Sequence, residues 1–185
     1  IPSNRTAVYN FMRPWWADGV YEFVSKRLNK NSVVFEWGSG ASTECLSKIC
    51  NVISIENDES WFNKLILKNM KNVDLKFIPD SGPSDKEPND PRGYTSDSLY
   101  FNRKNFSEYV KCIDGYGLFD LIVIDGRART SCLVHALDHL KIGGMLLLDD
   151  FWRDHYKPGI DLIPINWKNS VFKSTDHSTI VWEKL

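Results

Sequence analysis

An excess of charge of either sign is the first thing this sequence lacks: 23 lysines and arginines stand against 24 aspartates and glutamates, a formal net charge of −1. So balanced a chain gives no electrostatic reason to expect a nucleic acid or an anionic membrane as partner, and a small-molecule substrate fits better. Any apolar run approaching the ~20 residues of a membrane span is missing too. The first residues show neither the charged start nor the apolar core of a secretion signal, so the expectation is a cytoplasmic protein. Cysteine is sparse. Cys45, Cys50, Cys112 and Cys132 form no C-x-x-C pair, which argues against a disulfide scaffold and leaves buried, reduced thiols. Internal repeats and low-complexity tracts are absent as well.

What is present is an ordinary globular composition, 42% hydrophobic and 25% charged, over 185 residues. That length suits a single domain spanning residues 1–185. Its organising stretch is Val33-Val34-Phe35-Glu36-Trp37-Gly38-Ser39-Gly40-Ala41-Ser42, where a short apolar run passes through an acid into two glycines and a helical pattern. This reads as a strand, a glycine turn and a helix, the usual cradle for a nucleotide-like ligand.

Around it, strands and helices alternate. Pro14 opens a helix expected over Trp15 to Leu28, with Trp16, Val20, Phe23, Val24 and Leu28 on one face. Strand 1 covers Ser32 to Trp37, and a helix covers Ser42 to Cys50. Val52 to Glu56 forms strand 2, and Asp58 caps a helix whose inward stripe is Trp61, Leu65, Ile66 and Met70. Val73 to Ile78 reads as strand 3 and Phe119 to Asp125 as strand 4, the latter nearly continuous in apolar residues, as befits a strand covered on both faces. Arg129 to Leu140 is the next helix, Gly143-Gly144 a turn, Met145 to Asp150 strand 5, and Ser170–Ser174 with Thr179–Glu183 a terminal antiparallel hairpin. The fold class is therefore α/β: a doubly wound, Rossmann-like sheet of seven strands, mostly parallel with a C-terminal antiparallel hairpin.

Residues 79–105 interrupt the alternation. Pro79, Gly82, Pro83, Pro88, Pro91 and Gly93 punctuate a polar stretch that suits a lid or mobile loop, and Tyr94, Tyr100 and Phe101 favour one that folds over something. In a doubly wound sheet ligands bind beyond the carboxyl ends of the strands. The acids ending strands 1, 2, 4 and 5 then share one crevice.

A lone G-x-G is shared by several nucleotide-binding folds. Here Thr43 replaces the third glycine of a dinucleotide fingerprint, Glu36 sits just before the glycines, and the chain ends in a hairpin. On Glu36-Trp37-Gly38-Ser39-Gly40, the acid Glu56, the strand 4 run ending Ile124-Asp125-Gly126, and Leu140-Lys141-Ile142-Gly143-Gly144-Met145, the chain resembles the class I S-adenosylmethionine-dependent methyltransferases. The resemblance implies S-adenosylmethionine as cofactor, with Glu56 on the ribose hydroxyls, Glu36 near the methionyl amine, and Gly38, Ser39, Gly40 and Ser42 along the backbone cradle. It also implies Asn57, Asp80 and Ser81 around adenine, with Asp125 and Gly126 closing the site.

For the reacting half, Asp125, Asp149 and Asp150 are similar in spacing to the acids by which cation-dependent O-methyltransferases hold magnesium, so O-methylation of a small hydroxylated metabolite or sugar is implied. Those relatives often carry a lysine or histidine three residues after the strand 4 acid; here it is Ala128. His155 is a candidate replacement, and without a metal Asp125 or Asp150 would itself be the base. Arg127 and Arg129 flank the crevice as holders of a substrate carboxylate or phosphate, or as partners of the nearby acids. Two other classes stay open: a nicotinamide-dependent oxidoreductase, disfavoured by Thr43 and the tail hairpin, and a non-catalytic binding module of the same fold.

Overall fold

The computed structural model describes residues 13–96 and 103–185. Tyr100 and Phe101 fall outside them. Seven strands form one sheet in the order β3-β2-β1-β4-β5-β7-β6, from β1 (Val33–Trp37), β2 (Asn51–Glu56), β3 (Val73–Phe77), β4 (Phe119–Ile124), β5 (Leu140–Asp149), β6 (Lys168–Lys173) and β7 (Ser178–Glu183). Strands β1 to β5 are parallel, while β7 runs antiparallel to both β5 and β6. Strand order reverses between β1 and β4, which places the crevice over their carboxyl ends.

Alternation along the central strands supplies two cores. Phe35, Trp37, Ile122, Ile124, Leu146 and Leu148 face one way, against Tyr109 and Val110 of α4 (Ser107–Lys111) and Cys132, Leu133 and Ala136 of α5 (Arg129–Ala136). Val34, Leu121, Val123, Met145 and Leu147 face the other, against Val20 and Val24 of α1 (Val20–Ser25) and Leu46 of α2 (Ala41–Ser47). Glu36 shares the second face with Val34, so this acid points at α2 from inside the sheet.

Several elements depart from the sequence expectation. The first helix begins at Val20, because Gly19 adopts φ 84 at its N-cap, and Trp15 and Trp16 lie on the irregular segment before it. Of the stripe expected on α3 (Glu59–Ile66), Leu65 is buried and Ile66 is exposed, since the helix covers the edge of the sheet at β2 and β3. Gly143-Gly144 lies inside β5 and does not turn the chain. Leu140 pairs with Phe119 and Met145 with Leu121, so β5 bulges there, with Gly143 at φ 75 and hydrogen bonds from Gly143 N to Lys184 O and from Lys184 N to Gly144 O. In the 79–105 stretch, the amides of Ser81, Ser84 and Asn105 bond to Asn105 O, Arg103 O and Gly82 O, pinching the loop at its neck. Its middle is fastened to α5: Tyr94 N donates to Ser131 Oγ, which donates to Asp90 O.

Candidate active site

A cavity of about 490 Å³ opens over the carboxyl ends of β1, β2 and β4. The glycine turn forms its floor. Gly38 has φ 94, and a Cβ there would stand 2.6 Å from Gly126 N; a Cβ on Gly126 would stand 2.9 Å from Gly38 N. The loops after β1 and β4 therefore touch backbone to backbone, an approach only glycine permits. Gly40 differs: its φ of 176 is ordinary extended backbone and a Cβ would meet nothing within 4 Å, so its missing side chain leaves room in the cavity.

Beside the floor, Glu56 ends β2 nearly buried. Its Oε2 accepts from Ser39 N at 3.1 Å, and its Oε1 accepts from Asn57 N and Asp58 N, each at 2.8 Å. Burial pushes this carboxyl above its ordinary value while the three amides pull it back. Asp58 Oδ1 caps α3 through Trp61 N, and Trp61 returns its indole N–H to Ser39 O at 2.7 Å, so the helix pins the glycine turn. Asn57, Asp58, Ser60, Trp61 and Lys64 complete this wall.

Glu36 is fully buried and does not line the cavity. Its carboxylate is the hub of three hydroxyls, Ser42, Thr43 and Ser54, the last at 2.6 Å. Burial nonetheless raises it to about 7. It fastens α2 to β1 and β2 from beneath. Asp80 and Ser81 also lie outside the cavity lining, Asp80 pairing with Lys104 at 3.3 Å and accepting from Gly82 N. Gly38, Ser39, Gly40, Ser42, Glu56, Asn57, Asp125 and Gly126 line it.

The opposite wall is Asp125, Gly126, Arg127, Arg129 and, at the rim, Trp15. Arg129, at the start of α5, is 9% exposed and turns back on the strand ends: Nε donates to Gly126 O at 3.0 Å, Nη1 to Asp149 O at 2.7 Å and Nη2 to Asp125 O at 2.9 Å, with Asp125 Oδ1 3.0 Å from Nη2. One guanidinium thus clasps β4 and β5. Burial raises the Asp125 carboxyl and Arg129 opposes that rise.

Asp149 is buried behind this wall, its Oδ1 accepting from Thr179 Oγ1 at 2.6 Å, and burial, with Asp125 nearby, lifts it to about 7. Asp150, at φ 55, pairs with Arg153 at 2.7 Å. Among the described residues, the acids and histidine whose ligand atoms come within 4.8 Å of one another are Asp149, Asp150 and His177. The third member of that group is His177, on the turn between β6 and β7, and not Asp125, which pairs with Arg129 at 3.0 Å. His155 packs edge-on against Tyr156, ring centroids 4.4 Å apart, and does not line the cavity. His135 and His139 both lie against Asp114, at 2.9 and 3.5 Å.

Pairing of Arg129 with a nearby acid was one of the two readings weighed for it, and Asp125 four residues earlier is that acid. Three further features escaped the sequence reading, the first being the hold of Arg129 on the carbonyls of Gly126, Asp149 and Asp125. The bond from Trp61 to the glycine turn was masked by the reading of Trp61 as core. Thr179, joined to Asp149 across a sheet register, left no local sign.

No family model and no curated protein matches this chain. Solved structures do. An rRNA methylase from Streptococcus thermophilus superposes with a TM-score of 0.63 at 13% identity, over 89% of this chain and 93% of that one. Precorrin-6y C5,15-methyltransferase from Geobacter metallireducens gives 0.56 at 14%, over 90% and 88%. Aeropyrum pernix fibrillarin, with natively bound S-adenosyl-L-methionine, gives 0.56 at 14%, over 84% and 68%. At such identities the likeness is one of fold, and the fold of this chain is the Rossmann-like fold of the class I S-adenosylmethionine-dependent methyltransferases.

Proposed function

We propose that this protein is an S-adenosylmethionine-dependent methyltransferase that methylates a hydroxyl of a small acceptor. The observation that carries the reading is Glu56: three backbone amides orient its carboxylate at the cavity wall and take three of its roughly four lone-pair sites, leaving about one, on Oε2, to accept a hydroxyl such as one of a ribose. The open space at Gly40 and the volume of about 490 Å³ accommodate a nucleoside of this size. When bound, the cofactor supplies a sulfonium methyl for in-line displacement. The chain's own part is then positioning, worth up to ~7–11 kcal/mol of the barrier, and removal of one proton.

We assign that proton to Asp125, which lines the cavity whereas Asp150 and His155 do not; burial raises its affinity for protons, and Arg129 opposes that rise. In such a displacement the Asp125 carboxylate would take the proton of the acceptor hydroxyl. No step here runs through a metal. Arg153 holds Asp150 and Thr179 holds Asp149, an arrangement that leaves few free oxygens for a hard cation demanding octahedral geometry.

The test is calorimetry with S-adenosylhomocysteine. Binding by the native protein, and a loss of about tenfold to a hundredfold in Glu56→Ala, support the reading, one charge-assisted hydrogen bond contributing roughly 1.5–3 kcal/mol. No binding by the native protein sinks it. An RNA acceptor is the second reading, favoured by the rRNA methylase among the similar structures. Salt-dependent binding of a structured RNA by the cofactor-loaded protein would select it, while the net charge of −1 supports the small acceptor.

A further inference from the structure

Tyr109 of α4 lies wholly inside the apolar layer beneath the cavity, in the same core as Phe35, Trp37, Ile124 and Cys132. Phe106, three residues earlier, meets its ring edge-on with centroids 5.8 Å apart and is equally buried. Phenylalanine therefore suits this layer, and it is the hydroxyl of Tyr109 that requires an explanation. The Tyr109 carbonyl is engaged, accepting from Trp37 Nε1 and Cys112 Sγ, each at 2.9 Å. The hydroxyl has no partner in hydrogen-bond geometry among the described residues, and burial pushes its pKa well above the ordinary 10.0, so it keeps its proton. A buried hydroxyl left so destabilises the fold that holds it.

The place of the oxygen points to its use. A Cβ on Gly126 would run into Tyr109 Oη before anything else, so the oxygen lies directly behind the turn that follows β4. Gly126 lines the cavity and meets Gly38 backbone to backbone, so a shift of the one is passed to the other. Asp125 and Arg127 flank it in the chain, and the turn sets the place of both. Apart from the Cys132 and Cys112 thiols, the polar groups that act on the hydroxyl are the Glu56 carboxylate and the Arg127 amide, one from each wall of the cavity. The amide stands close without reaching hydrogen-bond geometry.

We propose that Tyr109 is a positioning residue of the cofactor site, its hydroxyl accepting from the Arg127 amide when the cavity is filled and holding the Gly126 turn against Gly38. This rests on the methyltransferase reading and adds to that site a residue from beneath the cavity lining.

Tyr109→Phe removes the oxygen and keeps the ring. Its ligand-free melting temperature is expected to equal or exceed that of the native protein, because an unpartnered hydroxyl has left the core. Calorimetry with S-adenosylhomocysteine is expected to show an affinity about threefold to tenfold weaker, the worth of one hydrogen bond between uncharged groups. Amide hydrogen exchange locates the effect: S-adenosylhomocysteine should slow exchange at Arg127 in the native protein and slow it less in Tyr109→Phe. Tyr116→Phe, which removes a hydroxyl bonded to Lys76 at the margin of the same core, should leave the affinity unchanged. An unchanged affinity in Tyr109→Phe, a like loss in Tyr116→Phe, or equal slowing at Arg127 in both proteins overturns the proposal. So does a lower ligand-free melting temperature, which would show the hydroxyl bonded before any ligand arrives. No binding by the native protein sinks the methyltransferase reading and this proposal together, whereas binding that Tyr109→Phe leaves unaltered sinks this proposal alone.

Discussion

The two walls of the cavity are built on different principles. On the β1 and β2 side several acids share the work: Glu56 takes the next two amides and Ser39 N, Asp58 takes Trp61 N, and Glu36 takes Ser42, Thr43 and Ser54. On the β4 and β5 side a single residue, Arg129, joins two strands through carbonyls that lie 3 to 20 residues away. The first wall spreads its load over several acids and the second concentrates it in one guanidinium. Damage should therefore be graded on one side and abrupt on the other.

Arg129→Gln is the largest expected break. It strips a buried charge from its carboxylate and leaves carbonyls of both strands short of a donor, and chemical denaturation should show a loss of about 3–5 kcal/mol. A cost under about 1 kcal/mol would mean that the clasp is not what joins β4 to β5. Next come the two glycines of the floor. Gly38→Ala forces a Cβ against the backbone at Gly126 and a positive φ on alanine, and should cost about 2–3 kcal/mol of stability. Gly40→Ala meets nothing and should leave the melting temperature nearly unchanged while weakening S-adenosylhomocysteine binding. Equal melting temperatures for both variants would contradict the close contact.

Much of this contrast was open to reading in the chain itself. The continuous apolar runs of β1, β4 and β5 and the alternation with helices were enough for the doubly wound sheet, and the hairpin of β6 and β7 was visible in its polar turn at Thr175-Asp176-His177-Ser178. The β1 and β2 wall was legible in part: the Asp58 cap and the acid ending β2 at Glu56 were read from the chain, whereas Glu36, expected beside the cofactor, lies buried outside the cavity lining, and Trp61, read as core, bonds to Ser39 O. Asp80 and Ser81 were harder to place: the chain beyond β3 turns into the neck of the long loop, away from the cavity. The β4 and β5 wall was the least legible. Its order depends on which carbonyls a neighbouring strand presents, and no local spacing encodes that. The same holds for Trp15, whose exposure follows from a helix that starts five residues later than the apolar stripe suggested, at Val20.

Glu36 provides a subtler test of the distributed wall. Its pKa is raised from the ordinary 4.5 to about 7, so between those values the folded protein keeps a proton that the unfolded chain releases. That contribution favours the fold at low pH and is lost as pH rises through 7. Glu36→Gln should flatten this dependence, and its stability relative to the native protein should improve between pH 5 and pH 8 by on the order of 2–3 kcal/mol. A pH-independent difference in paired melts would show that the hydroxyl hub keeps Glu36 ionised throughout. The smallest effect is expected at the turn between β6 and β7: His177→Ala, like exhaustive chelation, should leave S-adenosylhomocysteine affinity and melting temperature unchanged. A chelator-sensitive melt that His177→Ala abolishes would instead mark a bound cation.

Thr179 links parts of the chain that its linear order keeps far apart. It donates to Asp149 at the end of β5 and accepts from Ala17 N at 3.1 Å, two residues beyond Trp15. The last strand is thus a tether for the segment that leads into α1. A protease cut or a truncation within β7 would be felt at the mouth of the cavity, some 160 residues earlier in the chain, before it was felt at the floor. Amide hydrogen exchange at Ala17 would register the release of that tether as a local signal even in a molecule whose sheet had stayed intact.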